Sequence, residues 1–348
     1  MRSVNTAPWM LPAQALRFVV CTLLLVVGAS GCAHRRSQPM AGEELPRKGD
    51  EIVVAGRLFH TGTRVVTWLD PSGYDAYRVE RRFSSLTDST WEASKTAVPA
   101  LTTPNRYGLR KDGLSAEQLE RVRGGGWDLE LLREKVDQFV LHFDASGTSR
   151  QCFKVLHDHR CLSVHFMLDL DGTIYQTLDL KERAWHATTS NSRSVGIEIS
   201  NIGAFGREGE QPMRDWYHVG SDGWPRVVVP SQLGEPGFLT PGFVPRPARR
   251  EPVRGRVQGQ DLVQYDFTPQ QYAALAKLTA TLCRVFPKIR ADYPKDAKGQ
   301  LIPSKLEDRE LNGFQGVLGH YHIQSNKVDP GPALDWEKVL KEAKALKR

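Results

Sequence analysis

Cysteine is scarce in this chain and poorly spaced for metal binding. Only five occur in 348 residues, and no CxxC pair is present, which argues against a thiolate zinc site. Zinc-finger spacing is missing, and so is a basic helix followed by heptads, so no nucleic-acid partner is expected. No apolar run reaches the roughly 20 residues that a membrane-spanning helix needs. What remains is ordinary globular composition, 40% hydrophobic and 25% charged. The length allows one large domain or two small ones. A net charge of +7 and a pI near 9.1 favour an acidic partner such as an anionic membrane or an acidic polymer. Without a supporting motif, charge decides little more.

The N-terminus bears on compartment. Arg17 precedes an apolar run, Phe18-Val-Val-Cys-Thr-Leu-Leu-Leu-Val-Val-Gly28, and Ala29-Ser30-Gly31 lead into Cys32. A charged start, a short apolar stretch and small residues describe a signal peptide over residues 1–31; the rival reading is a short membrane anchor. The Ala-Ser-Gly-Cys ending resembles a bacterial lipoprotein processing site, with Ala29 where Leu is usual. That resemblance implies that Cys32 is acylated and heads the mature chain, with residues 32–50 as a lipidated tether. His34 follows, with no Asp at Ala33. By the sorting rule of Gram-negative lipoproteins this implies the outer membrane, facing the periplasm. Cys21 lies in the signal, leaving Cys152, Cys161 and Cys283. Ser149–Arg160 reads as a helix, which would hold Cys152 and Cys161 about 13 Å apart, beyond the ~7 Å limit for bridging. Free structural thiols are therefore expected.

Residues 51–83 read as short strands: Ile52–Val54, Leu58-Phe59, Val65-Val66 and Tyr77–Val79. Residues 84–112 read as a Ser/Thr/Pro-rich loop. Leu114–Arg123 and Leu129–Val136 look helical, interrupted by three glycines. Gln138–Phe143 is a buried strand, Leu162–Leu170 another, and Asp171-Gly172 a hairpin turn into Thr173–Leu178. Ser194–Ser200 is a further strand. Thr268-Pro-Gln-Gln opens a helix, with Thr268 as N-cap and Pro269 at its first position, running to about Val285. Asp335–Leu346 is a last helix. Mixed strands and helices without a strict βαβ repeat predict an α/β (α+β) fold, a mixed central sheet flanked by helices. Residues 203–262 hold 8 Pro and 10 Gly, which predicts a surface insertion with little core. Its end carries five Arg between Arg246 and Arg256, a solvated loop or a contact for an acidic polymer.

The segment from Val317 to Pro332 carries the chemistry. It puts His320 and Asp329 on one turn-rich loop, and an imidazole with a carboxylate suits Zn²⁺. Lys327, two residues before the Asp, makes sense if negative charge develops there during a reaction. A catalytic zinc needs a third protein ligand, leaving one position for water. His142, inside the apolar strand, is the candidate. His322 is its rival, since alternate residues of extended chain share a face. His157, His159 and His165 read as structural or exposed.

Four blocks now stand together: Phe139-Val-Leu-His142; Ser163 to Gln176 with Arg183-Ala-Trp-His-Ala187; Ser194-Val-Gly-Ile-Glu198; and Gly319-His320 with Lys327-Val-Asp-Pro-Gly-Pro332. In order and spacing they resemble the type 2, zinc-dependent N-acetylmuramoyl-L-alanine amidases, which share a fold with a phage lysozyme and the peptidoglycan recognition proteins. The resemblance covers about residues 137–340, less the insertion. It implies a zinc amidase domain over 137–348, preceded by a β-rich and helical extension over 51–136. It makes His142, His320 and Asp329 the zinc ligands and Lys327 the residue that stabilises the oxyanion. Glu198 becomes the general base and proton shuttle. The phage-type branch has a Tyr where this chain has Val164, which favours the branch that uses the Glu. Trp185 and His186 match a cleft-lining motif, and Arg183 and Asn201 are candidate substrate contacts. The implied reaction is hydrolysis of the amide between N-acetylmuramic acid and L-alanine in peptidoglycan or muropeptides, by a monomer. The alternatives are a non-catalytic peptidoglycan-binding module and a structural lipoprotein whose His/Asp loop is incidental.

Overall fold

The computed structural model describes residues 40–102, 106–206 and 210–347. The expected signal peptide and the acylation site at Cys32 lie outside them. A compact unit begins at Arg47. Among the described residues no helix is long and apolar enough to cross a membrane. In chain order its elements begin with β1 (Glu51–Val54), β2 (Arg57–His60), β3 (Val65–Thr67), α1 (Trp91–Ala97), β4 (Tyr107–Leu109), α2 (Ala116–Val122), α3 (Leu129–Lys135) and β5 (Gln138–Phe143). Next come α4 (Ser149–Phe153, continued as a π-helix over Lys154–His159), β6 (Phe166–Leu168), β7 (Ile174–Gln176), β8 (Glu182–Ala184) and β9 (Ser194–Ile199). Then follow α5 (Glu210–Trp216), β10 (Tyr217–Val219), β11 (Pro225–Val227), β12 (Val253–Val257), β13 (Gln260–Gln264), α6 (Pro269–Val285), α7 (Asp308–Gly313), β14 (Gly316–Gly319) and α8 (Trp336–Lys347).

Six strands form the central sheet in the order β14-β5-β9-β6-β7-β3. β14, β5, β9 and β6 run parallel, β7 is antiparallel to β6, and β3 is parallel to β7. The expected mixed sheet flanked by helices is what forms. Strand periodicity of two divides its faces. Phe139 and Leu141 of β5, with Val195, Ile197 and Ile199 of β9, enter the main core. That core is closed by α3, α6 and α8, through residues such as Leu132, Leu278 and Leu340. Val140 and Leu318 point the other way, into a smaller cluster with Leu311 and Ile323. On that second face also lie Ser194, Gly196 and Glu198, in step with Gln138, Val140 and His142. Apolar packing thus holds one face rigid while the other is left for polar chemistry.

The helices start where local chemistry allows. Thr268 caps α6 by accepting from Gln271 N, and the Gln271 side chain returns the bond, a capping box with Pro at the first position. Several expectations need correction. Tyr77–Val79 is not a strand, and Leu162–Leu170 is extended only over β6. The 84–112 segment is not all loop: it holds α1, and β4 pairs with β8. Arg110 anchors it by donating to the carbonyls of Leu180, Asn191 and Ser192. Nor is the 203–262 segment free of core, because Val257 and Leu262 are buried in the main cluster. Hairpin pairing of β12 with β13 lets a Pro/Gly-rich segment bury alternate residues. Cys152, Cys161 and Cys283 are free and buried.

Candidate active site

The carboxyl ends of adjacent parallel strands are where open α/β sheets gather ligand-binding groups. Here β5 ends with His142-Phe143, β9 carries Glu198 opposite His142, and β14 leads straight into His320. The chain then turns through a short 3-10 segment, His320–His322, and returns at Asp329. Tyr321 N donates to Asp329 O at 3.2 Å, which ties the two arms of this loop together.

Three ligand-capable atoms converge at this point. His142 Nδ1 lies 3.0 Å from His320 Nδ1 and 2.8 Å from Asp329 Oδ2, and His320 Nδ1 lies 3.0 Å from the same oxygen. All three residues are buried, at 2%, 6% and 8% exposure. Burial, with the His320 ring beside it, lowers the His142 pKa to about 4. Burial disfavours charge on Asp329, yet hydrogen bonding to His142 and His320 holds its carboxyl below the usual range. Two imidazoles and a carboxylate make up the donor set that a catalytic zinc site uses.

The outer nitrogens agree with that reading. His320 Nε2 lies 2.6 Å from Gln324 Oε1; an amide oxygen only accepts, so this nitrogen carries the proton and Nδ1 keeps its lone pair. His142 Nε2 lies 3.0 Å from His186 Nδ1, and His186 Nε2 lies 3.2 Å from Ser194 Oγ. With a proton on each Nε2, this chain closes and leaves His142 Nδ1 free to ligate. The space for His186 exists because residue 196 is glycine: a Cβ there would stand 2.5 Å from the His186 ring. His322 is removed as a rival ligand, since Nδ1 accepts from Gly319 N and Nε2 donates to Ile302 O.

A cavity of 480 Å³ opens over this cluster, lined among others by Glu198, Lys327, Trp185, Asp144 and Arg160. Glu198 is half-buried, and its carboxylate makes no hydrogen bond among the described residues. Burial pushes its carboxyl well above the usual range, and Asp329 and Asp144 add to the effect. Lys327 is also half-buried, with no ion pair to its ammonium group among the described residues. A carboxyl with a raised pKa, a cation and a His-His-Asp group that could hold a metal therefore share one cavity. A larger cavity, 740 Å³, lies in the 203–262 segment beside Met213, Tyr217 and Tyr265, but no ligand cluster meets there among the described residues. A second grouping, Asp50, Glu51 and His60, is internally satisfied, because Glu51 accepts from the backbone N–H groups of residues 48 to 50.

Of the residues expected at the cleft, Trp185 lines it and His186 sits behind His142. Two others are engaged elsewhere. Arg183 Nε donates to Ser192 Oγ. Asn201 Nδ2 donates to Tyr265 O while its Oδ1 accepts from Gly203 N and Gln264 Nε2, so it ties the insertion to β9. Neither faces the cavity. Val164 is packed in an apolar cluster with Cys152 and Phe153. Sequence reasoning missed Gln324, Ser194 and Asp144. Only Gln324 left a trace, a polar residue four positions after a ligand.

Comparisons with known proteins follow the same lines. A profile of the N-acetylmuramoyl-L-alanine amidase family matches residues 132–332, more than half of the chain. The 1,6-anhydro-N-acetylmuramyl-L-alanine amidase AmpD of Haemophilus influenzae is 23% identical over 222 residues, 64% of this chain and 74% of that protein. Among solved structures, a selenomethionine derivative of AmpD is 17% identical, covering 68% of this chain and 89% of its own, with a TM-score of 0.30. The N-acetylmuramyl-L-alanine amidase AmiD from E. coli, solved with anhydro-N-acetylmuramic acid-L-Ala-D-gamma-Glu-L-Lys, is 18% identical, covering 60% and 57%, with a TM-score of 0.33.

Proposed function

The chain belongs to the N-acetylmuramoyl-L-alanine amidase family, and we propose that it hydrolyses the amide between the lactyl group of N-acetylmuramic acid and L-alanine with zinc as cofactor. The substrate is peptidoglycan or its muropeptides, and the role is cell-wall turnover. His142, His320 and Asp329 would hold the metal. When bound, zinc supplies an acidic water near neutral pH and polarises a carbonyl.

The rest is done by side chains of this chain. Glu198, with its raised pKa, takes a proton from the attacking water and returns it to the leaving amine, which suits a carboxyl poised nearer neutrality. Lys327 faces the carbonyl oxygen as it becomes an anion. Trp185 offers an apolar wall for the substrate. The observation that carries this reading is the meeting of two Nδ1 atoms and one carboxylate oxygen within 3.0 Å, in the cavity that Glu198 and Lys327 share. A lipid on Cys32 would hold the enzyme at the outer membrane, facing the periplasm.

The test uses purified protein and defined muropeptides, with metal content and product masses measured together. One zinc per chain and release of free stem peptide are expected. Glu198→Ala should keep the zinc and lose turnover by at least about 10²-fold. Full activity in that variant would sink the assignment of the base. Binding of muropeptides without any cleavage by the parent would leave a peptidoglycan-binding module instead.

A further inference from the structure

The insertion reaches the turn after His320 through the side chain of Gln258. At the tip of the β12–β13 hairpin, Gln258 has φ +51° and Gly259 φ +75°. Both central residues of this two-residue turn are left-handed, the geometry that favours Asn-Gly or Gly-Gly. Glutamine is a strained choice there. Its side chain has an occupation that the shorter Asn could not reach. Gln258 Nε2 donates to Tyr321 O at 2.8 Å and to Gln324 O at 2.9 Å, and Gln258 Oε1 accepts from Lys305 N at 3.2 Å. The backbone of Gln258 adds a bond to Pro303 O at 2.9 Å.

Those two carbonyls are not arbitrary. Tyr321 follows the ligand His320 directly, and Gln324 is the residue whose own side chain fixes the His320 tautomer. One amide therefore spans the turn that aims His320. The other end of the same hairpin braces Asp329. Gln264 Nε2 donates to Pro330 O at 3.2 Å, and Gln264 Oε1 accepts from Ala333 N at 3.0 Å. A Cβ on Gly331 would stand 2.1 Å from Gln264 Oε1, and one on Gly255 2.6 Å from Pro332, so the hairpin and the loop meet at glycine-only distances.

We propose that the β12–β13 hairpin is a built-in brace for the metal site, and that Gln258 is its positioning residue, acting on His320 through Tyr321 and Gln324. This rests on reading His142, His320 and Asp329 as metal ligands. The strain at Gln258 is retained because the bonds of its amide set the ligand loop, as is common for strained positions near functional sites.

Two variants of the full chain test it. Gln258→Gly removes the side chain but suits the left-handed turn. Gln258→Met keeps the volume and the strained backbone and removes the amide. Zinc affinity is measured by competition with a chelator, and melting of the metal-free protein is measured in parallel. In Gln258→Gly the lost bonds and the relaxed backbone act in opposite directions, so the metal-free melting temperature should stay within a few degrees of the parent. Zinc Kd should rise about tenfold in both variants, the lower end of what losing an outer partner of a ligand costs. A Kd within twofold of the parent, in whichever variant folds, overturns the proposal. A parent that holds no stoichiometric zinc overturns the metal reading beneath it, an outcome distinct from a parent and variants that bind zinc alike.

Discussion

Lys327 poses the plainest question that a single side chain can pose. Lys327 is half-buried beside a His-His-Asp group that could itself hold a cation, with no carboxylate paired to its ammonium among the described residues. Such a placement costs free energy in the resting protein, so it points to a charge that arrives only during reaction. Lys327→Met should therefore lower kcat by roughly 10²–10³-fold while KM and zinc content stay near parental values. A variant that loses zinc, or loses only KM, would place the lysine in binding rather than in stabilising the oxyanion. Gln324 makes the complementary case. Gln324→Leu leaves His320 Nε2 without its acceptor, and both tautomers then compete. Zinc affinity should fall about 10–100-fold in chelator competition, with little change in fold. His142, His320 and Asp329 could be singled out in the sequence because metal binding restricts residue chemistry, and the structure brings the three together as a group that could hold a metal. Gln324 and Ser194 were not, because any polar residue can hold a ring nitrogen and only three-dimensional placement says which one does.

At the level of elements, β9 shows how the site face is kept open. Ser194, Gly196 and Glu198 share one face of the strand, and each has a task toward β5: Ser194 ends the histidine chain, Gly196 makes room for His186, and Glu198 faces the cavity. Gly196→Ala would drive a Cβ into the His186 ring at 2.5 Å, and an aromatic ring in a packed site cannot swing aside like a chain end. Overpacking of this kind costs typically about 1–3 kcal/mol, and the displaced His186 no longer fixes His142. Thermal melting should fall by several degrees and zinc affinity with it; an unchanged melt would mean that the sheet yields more easily than its burial indicates. This strand was readable because a strand in parallel sheet is apolar on both faces, so a Glu and a Gly in its middle stand out. α6 was readable from its capping residues. α1 was not, since only Ser94 of its seven residues is fully buried and no apolar stripe marks it. It is held by Thr90, whose side chain accepts from Ala93 N, a cap that a Ser/Thr-rich stretch disguises. The insertion misled for the opposite reason: Pro and Gly suggested a surface loop, yet a hairpin can bury every second residue between such turns.

The whole molecule carries buried carboxylates whose ionisation folding resists, and this sets how its stability responds to pH. Asp169 is fully buried. Its Oδ1 accepts from Leu170 N at 2.9 Å, while Oδ2 has no hydrogen-bond partner among the described residues. Burial raises its pKa to about 8 from an ordinary 3.8, and burial likewise raises Asp144 to about 7. A raised folded-state pKa means that the folded protein keeps a proton that the unfolded chain releases. The stabilising contribution is complete below about pH 4 and is lost as pH rises toward about 8. Asp144 lies close enough to Glu198 to help raise its pKa, so a charge environment that disfavours folding at neutral pH also acts on the Glu198 carboxyl. Asp169→Asn removes a proton equilibrium without removing the side-chain shape. Relative to the parent, this variant should gain melting temperature steadily from pH 4 to pH 8, at roughly 2–4 °C for each kcal/mol of the lost penalty. Melting curves of both proteins across that range decide the matter: parallel profiles would mean that Asp169 ionises in the folded protein as it does in the unfolded chain.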